Sequence, residues 1–267
     1  MTPYTLLLKS NLHLISGGVF TAQQNQNVTA NLLKSITPPM ALKRFHEAVN
    51  APKSANGDTR EMYPLYYIPP YNDGKKIKTV TGVTPATHIL AANSYELEIL
   101  RILHICGADN VQVSAMLERT KARILTTCFG QPRGGHCWHG ECAESVLVTL
   151  RYFAACFASE RAYISGIMDE ARTHLYGKKR NYRTHIYYWL ILSELPDEMA
   201  IPEIRRCCED VLARAAKKCA VVGDENDNIR TRINLFAMRN CLARLGEYAY
   251  LRDRTLMEAD GRVWLEL

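Results

Sequence analysis

Residues 141–158 read ECAESVLVTLRYFAACFA and favour an amphipathic helix. Apolar side chains recur there at spacings of three and four, the period at which positions of an α-helix share one face. Arg151 is the only charged residue after position 144 in this segment. The pattern therefore predicts a helix with one buried face, formed by Ala143, Val146, Leu147, Leu150, Ala154 and Phe157.

The helical period continues on both sides of this segment. Asn93 or Ser94 is expected to cap the first helix. Three predicted helices end at or just before Gly107, Gly177 and Pro196, because glycine and proline are common at or just beyond helix ends. The predicted helices cover residues 93–107, 110–127, 141–158, 161–176, 182–194, 201–219 and 229–245.

Short connections join these predicted helices. Short connections favour antiparallel neighbours, so residues 93 to about 251 are expected to form successive antiparallel αα-hairpins. The helices are of comparable length, but their sequences show no strict repeat. A repeat array and an irregular bundle therefore both remain open. The predicted fold class is all-α.

The first 92 residues differ from the rest, because they hold most of the prolines and several polar runs. This composition indicates irregular structure. Local exceptions are a short predicted helix at 32–49, an extended segment at 63–68 and a turn at Asn72-Asp73-Gly74. We therefore predict an irregular N-terminal arm, residues 1–92, that packs on a helical-hairpin domain, residues 93–267.

The chain of 267 residues is 47% hydrophobic and 22% charged, which is typical of a folded globular protein. Its longest apolar run, residues 146–158, falls short of the roughly 20 residues that cross a bilayer. The N-terminus lacks a cleavable leader pattern, so we expect a cytoplasmic protein. Nine cysteines are an odd number and favour reduced thiols over a disulfide framework.

The formal charge of +6 comes from charges of both signs along the helices. The one dense basic run, Lys178-Lys179-Arg180, is short for a surface that follows a phosphate backbone. We therefore do not expect a nucleic-acid partner. A protein partner or a small ligand both remain open.

Residues 131–142 read QPRGGHCWHGEC and hold the densest set of reactive side chains in the chain. Histidine nitrogen and cysteine sulfur are ligands that zinc prefers, and the spacing of the two cysteines fits known zinc sites. Neighbouring side chains seldom all point at one ion. Three ligands from the loop and one distant histidine, such as His104, His174 or His185, would therefore be the more natural arrangement for a catalytic zinc site. The predicted metal ligands in the loop are His136, Cys137, His139 and Cys142.

A cysteine nucleophile is the second chemistry open to this loop. Cys137 and Cys142 lie near a predicted helix N-terminus and beside imidazoles, and both features favour a thiolate. Residues 135–138, Gly-His-Cys-Trp, resemble the Gly-x-Cys-Trp nucleophile segment of transglutaminase-like enzymes, which implies a downstream base such as His185. Those enzymes continue into strands, whereas this chain continues in helices. Glu141 completes the candidate catalytic residues.

A purely structural role is the third interpretation of the loop. The glycines would shape a turn, and Trp138 would cover the core. His136 and His139 would satisfy backbone groups, while Cys142 would begin a buried helical face. Histidines and cysteines near packed helix ends commonly serve in this way.

The segment from Gly134 to Cys142, with the apolar helix after it, resembles a repeat of the α/α-toroid proteins, the terpenoid cyclases and protein prenyltransferases. Residues 181–192, NYRTHIYYWLIL, resemble a second such helix start. The resemblance covers about 93–251 and implies a partial α/α-toroid whose cavity mouth gathers His136, His139, Glu141, Tyr187, Tyr188 and Trp189. The families' Asp-x-Asp-Asp acid and zinc set are absent from the sequence, so the resemblance implies the architecture alone.

The predicted function is a helical scaffold or accessory protein that binds a ligand or partner at a concave surface near the 131–142 loop. The alternative is a transferase or hydrolase that uses a loop cysteine or a zinc ion. No cofactor is expected other than zinc at the loop. The candidate ligand-binding residues are His136, Trp138, His139, His185, Tyr187 and Tyr188.

Overall fold

The computed structural model describes residues 1–35, 78–86, 88–175, 182–221 and 223–267. Helices dominate these residues, which confirms the all-α class. The predicted segments at 63–68 and 72–74, and most of 32–49, lie outside the described residues. The α-helices are α1 (Pro3–Ile15), α2 (Ala22–Lys34), α3 (His88–Gly107), α4 (Val111–Ile124), α5 (Glu141–Cys156), α6 (Arg161–Leu175), α7 (Tyr182–Leu192), α8 (Asp197–Ala215) and α9 (Glu225–Leu242), and Gly246–Asp253 is a 3-10 helix.

Two regular helices, α1 and α2, stand where the sequence predicted an irregular arm. The Thr2 hydroxyl caps α1 by accepting the backbone N–H of Thr5 at 3.1 Å. At α2, the Thr21 hydroxyl accepts the Gln24 N–H at 3.2 Å and the Gln24 side chain accepts the Thr21 N–H at 2.8 Å. This reciprocal capping box fixes the start of a helix even in a polar sequence. The irregular prediction is therefore wrong for these two segments.

The chain forms two compact units. Unit 1 comprises residues 1–19, 80–83 and 164–267, and unit 2 comprises the described parts of 20–79 and 84–163. The boundary predicted between residues 92 and 93 falls inside α3. Helix α3 begins at His88 rather than after a cap at Asn93, so that boundary does not coincide with a helix end.

Helix α9 lies at the centre of unit 1 and packs against α1, α7, α8 and the 3-10 helix. Ile233, Leu235 and Cys241 on this helix are fully buried. The buried residues of α9 are spread over much of its circumference, so it is an interior helix of unit 1.

Polar side chains near the end of α9 satisfy carbonyl groups at the ends of neighbouring helices. Asn240 donates from Nδ2 to the carbonyl oxygen of Ile15, the last residue of α1, at 2.8 Å. The last carbonyls of a helix have no partner within the helix, so such donors attach helix ends to the core. The Arg244 guanidinium does the same at the end of α7, at 2.5 to 3.1 Å from the carbonyl oxygens of Leu192, Ser193 and Leu195.

Helix α5 is the central helix of unit 2. It packs against α3, which also contacts α2 and α4. Every residue of α5 from Ala143 to Phe153 is buried, not only the predicted apolar stripe. The helix therefore carries polar groups into the interior, namely Glu144, Ser145, Thr149 and Arg151.

A buried ion pair joins α3 and α5. Arg151 donates from Nη1 to both carboxylate oxygens of Glu98, at 2.7 and 2.6 Å, and both side chains are only 2% exposed. Glu98 lies in the middle of α3 and not in its first turn, because the helix begins at His88 and not after a cap at Asn93. Removing both charges from water is costly, so the close bidentate geometry is needed to offset the loss of hydration.

A small antiparallel sheet in unit 1 was not predicted. Its strands are β1 (Cys219–Ala220), β2 (Met257–Ala259) and β3 (Arg262–Trp264), in the order β1-β3-β2. Asp260 and Gly261 connect β2 to β3 with φ of 50° and 66°, the left-handed values that a two-residue hairpin turn requires. Cys219, predicted as the end of a helix, therefore belongs to a strand, and α8 ends at Ala215.

None of the helices within the described ranges combines the length and apolar character that crossing a membrane requires.

Candidate functional site

Glycine residues shape the loop between α4 and α5. A side chain at Gly130 would begin 2.3 Å from Ile124 Cγ2, so no Cβ fits there. Gln131 donates from Nε2 to two carbonyl oxygens of the same loop, at 2.9 and 3.1 Å. The loop therefore folds on itself, as the structural interpretation expected. Left-handed φ values occur at Gly134 (76°), Gly135 (72°) and Gly140 (54°).

Three cysteines lie in or beside this loop. The backbone N–H of Cys137 donates to the carbonyl oxygen of Cys128 at 3.1 Å. Cys128 is exposed, whereas Cys137 and Cys142 are half-buried.

The pKa of the Cys142 thiol disfavours its predicted role as a nucleophile. Burial raises the pKa of the Cys142 thiol to about 12, and hydrogen bonds and charge interactions with Cys137 and Cys128 add to the rise. The sequence led us to expect the opposite direction, because a helix N-terminus favours a thiolate. Cys142 is therefore a protonated thiol at neutral pH.

His136 and Trp138 are the two buried side chains among residues 131–140. Trp138 is 3% exposed and His136 is 7% exposed, and the His136 ring lies edge-on to Tyr163 with 6.3 Å between ring centroids. The Tyr163 hydroxyl donates to the carbonyl oxygen of Gly130 at 2.8 Å. Burial also raises the pKa of Tyr163. The contacts of His136 and Gly130 with Tyr163 thus help to hold the loop in place.

Glu141 and His139 lie at the start of α5. The Glu141 carboxylate accepts the backbone N–H of Ala86. His139 is exposed, and its carbonyl oxygen accepts the Cys142 N–H at 3.1 Å. Glu141 therefore already has a structural hydrogen bond, whereas the His139 side chain faces solvent.

The remaining predicted ligand-binding residues belong to α7 in unit 1, whereas the loop belongs to unit 2. Tyr187 and Tyr188 are buried, and the Tyr188 hydroxyl donates to a carboxylate oxygen of Glu203 at 3.4 Å. The side chain of His185 lies outside the described part of the structure. The predicted cavity shared by these residues and the loop stays a prediction.

Zinc at the loop also stays a prediction. Among the side chains that the structure describes, no group of three or more His, Cys, Asp or Glu residues is placed to hold a metal ion. His136 is directed to the interior and His139 to solvent, so the four predicted ligands do not share one direction.

A pocket that sequence reasoning missed lies on the small sheet of unit 1. Its volume is about 320 Å³. Lys218 Nζ lies 4.2 Å from the centroid of the Trp264 ring, a cation–π contact. We refer to it as the sheet pocket, and its lining residues are Lys218, Ala259, Asp260, Arg262 and Trp264.

Strand register explains why these residues meet. Residues at alternate positions of a strand share a face, so Arg262 and Trp264 lie on one side of β3 while Val263 points into the core. Cys219 pairs with Val263, and extending that antiparallel register places Lys218 opposite Trp264. Asp260-Gly261 between short alternating segments is the sequence signal that indicates this hairpin.

No protein-family model, curated protein or solved structure matches this chain.

Proposed function

We propose that the protein is a helical binding scaffold that takes a small organic anion in the sheet pocket. The observation that supports the proposal is the placement of Lys218, Arg262 and Trp264 on one accessible face of the sheet. Two cations beside an aromatic ring favour a ligand with an anionic group next to a flat apolar group. The volume lies at the lower end of the range for small-molecule pockets.

The Asp260 carboxylate narrows the ligand class. It lines the same pocket as the two cations, so the formal charge of the lining is 2 − 1 = +1. A densely charged polyanion would meet repulsion from this carboxylate. We therefore propose a ligand that carries one carboxylate or phosphate group, such as an aryl phosphate.

Chemistry at the loop is the weaker alternative. A transferase or hydrolase would need a thiolate or a zinc ion there, and the Cys142 thiol is protonated at neutral pH while Glu141 accepts the Ala86 N–H. Binding near residues 131–142 stays a prediction. The sheet pocket offers the better-defined place for a ligand.

For the architecture, we propose successive αα-hairpins in the manner of a partial α/α-toroid or an irregular helical array. Contacts between consecutive helices support this arrangement within each unit. In unit 2, α3 contacts α4, and in unit 1, α7 contacts α8 and α8 contacts α9.

Intrinsic fluorescence tests the proposed binding site directly. The chain has three tryptophans, of which Trp138 and Trp189 are buried, so a ligand in the sheet pocket should perturb Trp264. We expect phenyl phosphate to change the emission saturably. Inorganic phosphate and phenol should each act more weakly, because each supplies only one of the two recognised groups.

Two lysine variants provide the matched comparison. Lys218→Met keeps the apolar stem and removes the charge, and should weaken phenyl phosphate binding about threefold, the loss of one exposed ionic contact. Lys217→Met removes a neighbouring lysine outside the pocket lining and should bind like the wild type. No saturable response in the wild type, or an equal loss in both variants, would contradict the proposal.

A further inference from the structure

The open face of the small sheet carries an apolar platform, formed by Trp264 and Met257, beside the sheet pocket. Met257 pairs with Trp264 across β2 and β3, so the two side chains lie next to each other on the same face. Met257 is 41% exposed, and Trp264 is half-buried. A flat ring can therefore rest on this platform, where it stacks on the indole and makes a sulfur–aromatic contact with the thioether.

The two cations of the pocket lie beside this platform. Lys218 Nζ is 4.2 Å from the centroid of the Trp264 ring. Arg262 precedes Trp264 by two positions on the same side of β3, a separation of about 6.6 Å along a strand. A ligand that stacks on the indole therefore places an attached phosphate group near both cations, and the guanidinium can bind two phosphate oxygens at once.

Asp260 adds a hydrogen-bond acceptor to the same pocket. It is exposed and lies in the turn between β2 and β3, directly before Gly261. A carboxylate only accepts hydrogen bonds, so the ligand group that meets it has to be a donor. Two adjacent hydroxyl groups meet this requirement without adding charge, because each can donate to one carboxylate oxygen.

We propose that the sheet pocket binds a ribonucleoside 5′-monophosphate, an inference that rests on the proposed binding of a small organic anion there. This ligand class joins a flat base, a 2′,3′-diol and one phosphate group in a single small molecule. The base stacks on the platform of Trp264 and Met257. The diol donates to Asp260, and the phosphate binds Arg262 and Lys218.

Lys218 changes its partner when this ligand binds. Without ligand, its ammonium group lies over the Trp264 ring. A charge-assisted contact with phosphate is stronger than a cation–π contact at an exposed site. The flexible lysine stem allows the ammonium group to turn from the indole to the phosphate, which leaves the ring face to the base.

Isothermal titration calorimetry with the full chain tests the proposal. Adenosine 5′-monophosphate should bind at least about fivefold more tightly than ribose 5-phosphate, because a stacked base stabilises the complex. It should also bind about tenfold more tightly than its 2′-deoxy analogue, which lacks one hydrogen bond to a charged acceptor. If phenyl phosphate binds but these two differences are absent, this inference is wrong and the small-anion site stands. If neither phenyl phosphate nor adenosine 5′-monophosphate binds, the proposed function fails as well.

The Asp260→Asn variant separates recognition of the diol from recognition of the phosphate. Asparagine tolerates the left-handed φ of 50° at this position, so the turn is retained. Removing the carboxylate charge should strengthen phenyl phosphate binding about twofold and reduce the preference for the ribonucleotide over its 2′-deoxy analogue to about threefold or less.

Asp210→Asn provides the matched control, because it removes an exposed carboxylate outside the pocket lining. It should leave both affinities and their ratio as in the wild type. An unchanged preference for the ribonucleotide in Asp260→Asn would show that Asp260 does not bind the diol and would overturn the proposal. The wild-type comparison of the two nucleotides tests the ligand class even if a variant does not fold.

Discussion

The Cys142 thiol shows how burial can override a favourable helix terminus. Its place in the first turn of α5 favours a negative charge through the helix dipole, an effect that falls off within one turn. Burial and the two neighbouring thiols act in the opposite direction and raise its pKa to about 12. The sequence shows the helix terminus but not the other thiols, so it predicts the wrong direction for this pKa.

Alkylation rates should reveal the raised pKa of the Cys142 thiol. At pH 8, iodoacetamide should modify Cys142 at least about tenfold more slowly than Cys128, because the reactive thiolate is scarcer and less accessible. Peptide mass spectrometry after timed labelling of the reduced protein measures both rates in one sample. Equal rates at the two positions would show that the Cys142 thiol is not stabilised in its protonated form.

The Glu98–Arg151 pair is a buried ion pair that contributes to the stability of unit 2. Arg151→Met removes the guanidinium and leaves the buried Glu98 carboxylate without that counter-charge. We expect the free energy of unfolding to fall by about 3–5 kcal/mol, measured by urea denaturation.

A more exposed ion pair provides the control for this variant. Lys121 Nζ lies 2.5 Å from a carboxylate oxygen of Glu160, and both side chains are partly exposed. Lys121→Met should lower the free energy of unfolding by about 1 kcal/mol or less, because a solvent-exposed ion pair is only slightly more favourable than the two hydrated charges. A similar cost for the two variants would mean that burial does not set the importance of the Arg151 contact.

At the level of elements, the turn after α4 depends on one glycine. Gly130→Ala places a Cβ 2.3 Å from Ile124 Cγ2 and 2.5 Å from the Ile124 carbonyl oxygen. Since backbone must move to relieve the second contact, we expect a loss of about 1–3 kcal/mol in thermal or urea unfolding.

Gly166 in α6 is the matched control for this substitution. A Cβ there meets nothing within 4 Å, so Gly166→Ala should raise the stability by up to about 1 kcal/mol through helix propensity. Destabilisation by both variants would show that the close contact at Gly130 is not the cause.

The small sheet allows a test by collisional quenching. Iodide should quench Trp264 more strongly than caesium does, because Lys218 and Arg262 attract anions to the ring. Trp264→Phe should remove this difference, since the other two tryptophans are buried. Equal quenching by the two ions in the wild type would argue against a cationic pocket.

Helix starts were predicted well where the signal is local. The predicted first residues of α5, α6 and α7 agree with the structure, because glycine or a turn precedes each periodic segment. The start of α3 was missed, since Asn93 has the chemistry of a cap but is buried inside the helix. Pro196 was predicted to follow a helix, whereas it also caps α8, with Asp197 and Glu198 in the first turn.

For the whole molecule, pH should change stability through His104 in α3. Burial lowers the pKa of His104 below its usual value of 6.5. The unfolded chain therefore binds a proton at this site more readily than the folded chain, and stability falls as pH drops from about 7 through 6.5 toward the folded-state pKa.

The variant His104→Gln cannot bind this proton, so its stability should depend less on pH in that window. Urea unfolding at pH 7.5, 6.5 and 5.5 measures the difference between the two proteins. If the free energy of unfolding changed with pH equally in both proteins, His104 would not contribute to the pH dependence of stability.

The sequence predicted the class of the whole molecule and singled out the loop, but it did not predict the sheet pocket. The loop was found because its reactive residues are neighbours, yet Cys128 lies outside that dense segment and joins it only through the turn. Lys218 and Trp264 are far apart in sequence and meet through strand register. Contacts of this kind depend on the tertiary fold, which helical periodicity does not specify.

The hydrogen bond between Asn240 and Ile15 has a consequence for the order of assembly during synthesis. These residues are 225 positions apart, and α1 packs on α9 within unit 1. Helix α1 therefore leaves the ribosome well before its native neighbour α9 is translated. The apolar face of α1 stays without its native cover during that interval, and unit 1 completes its core only after α9 has emerged.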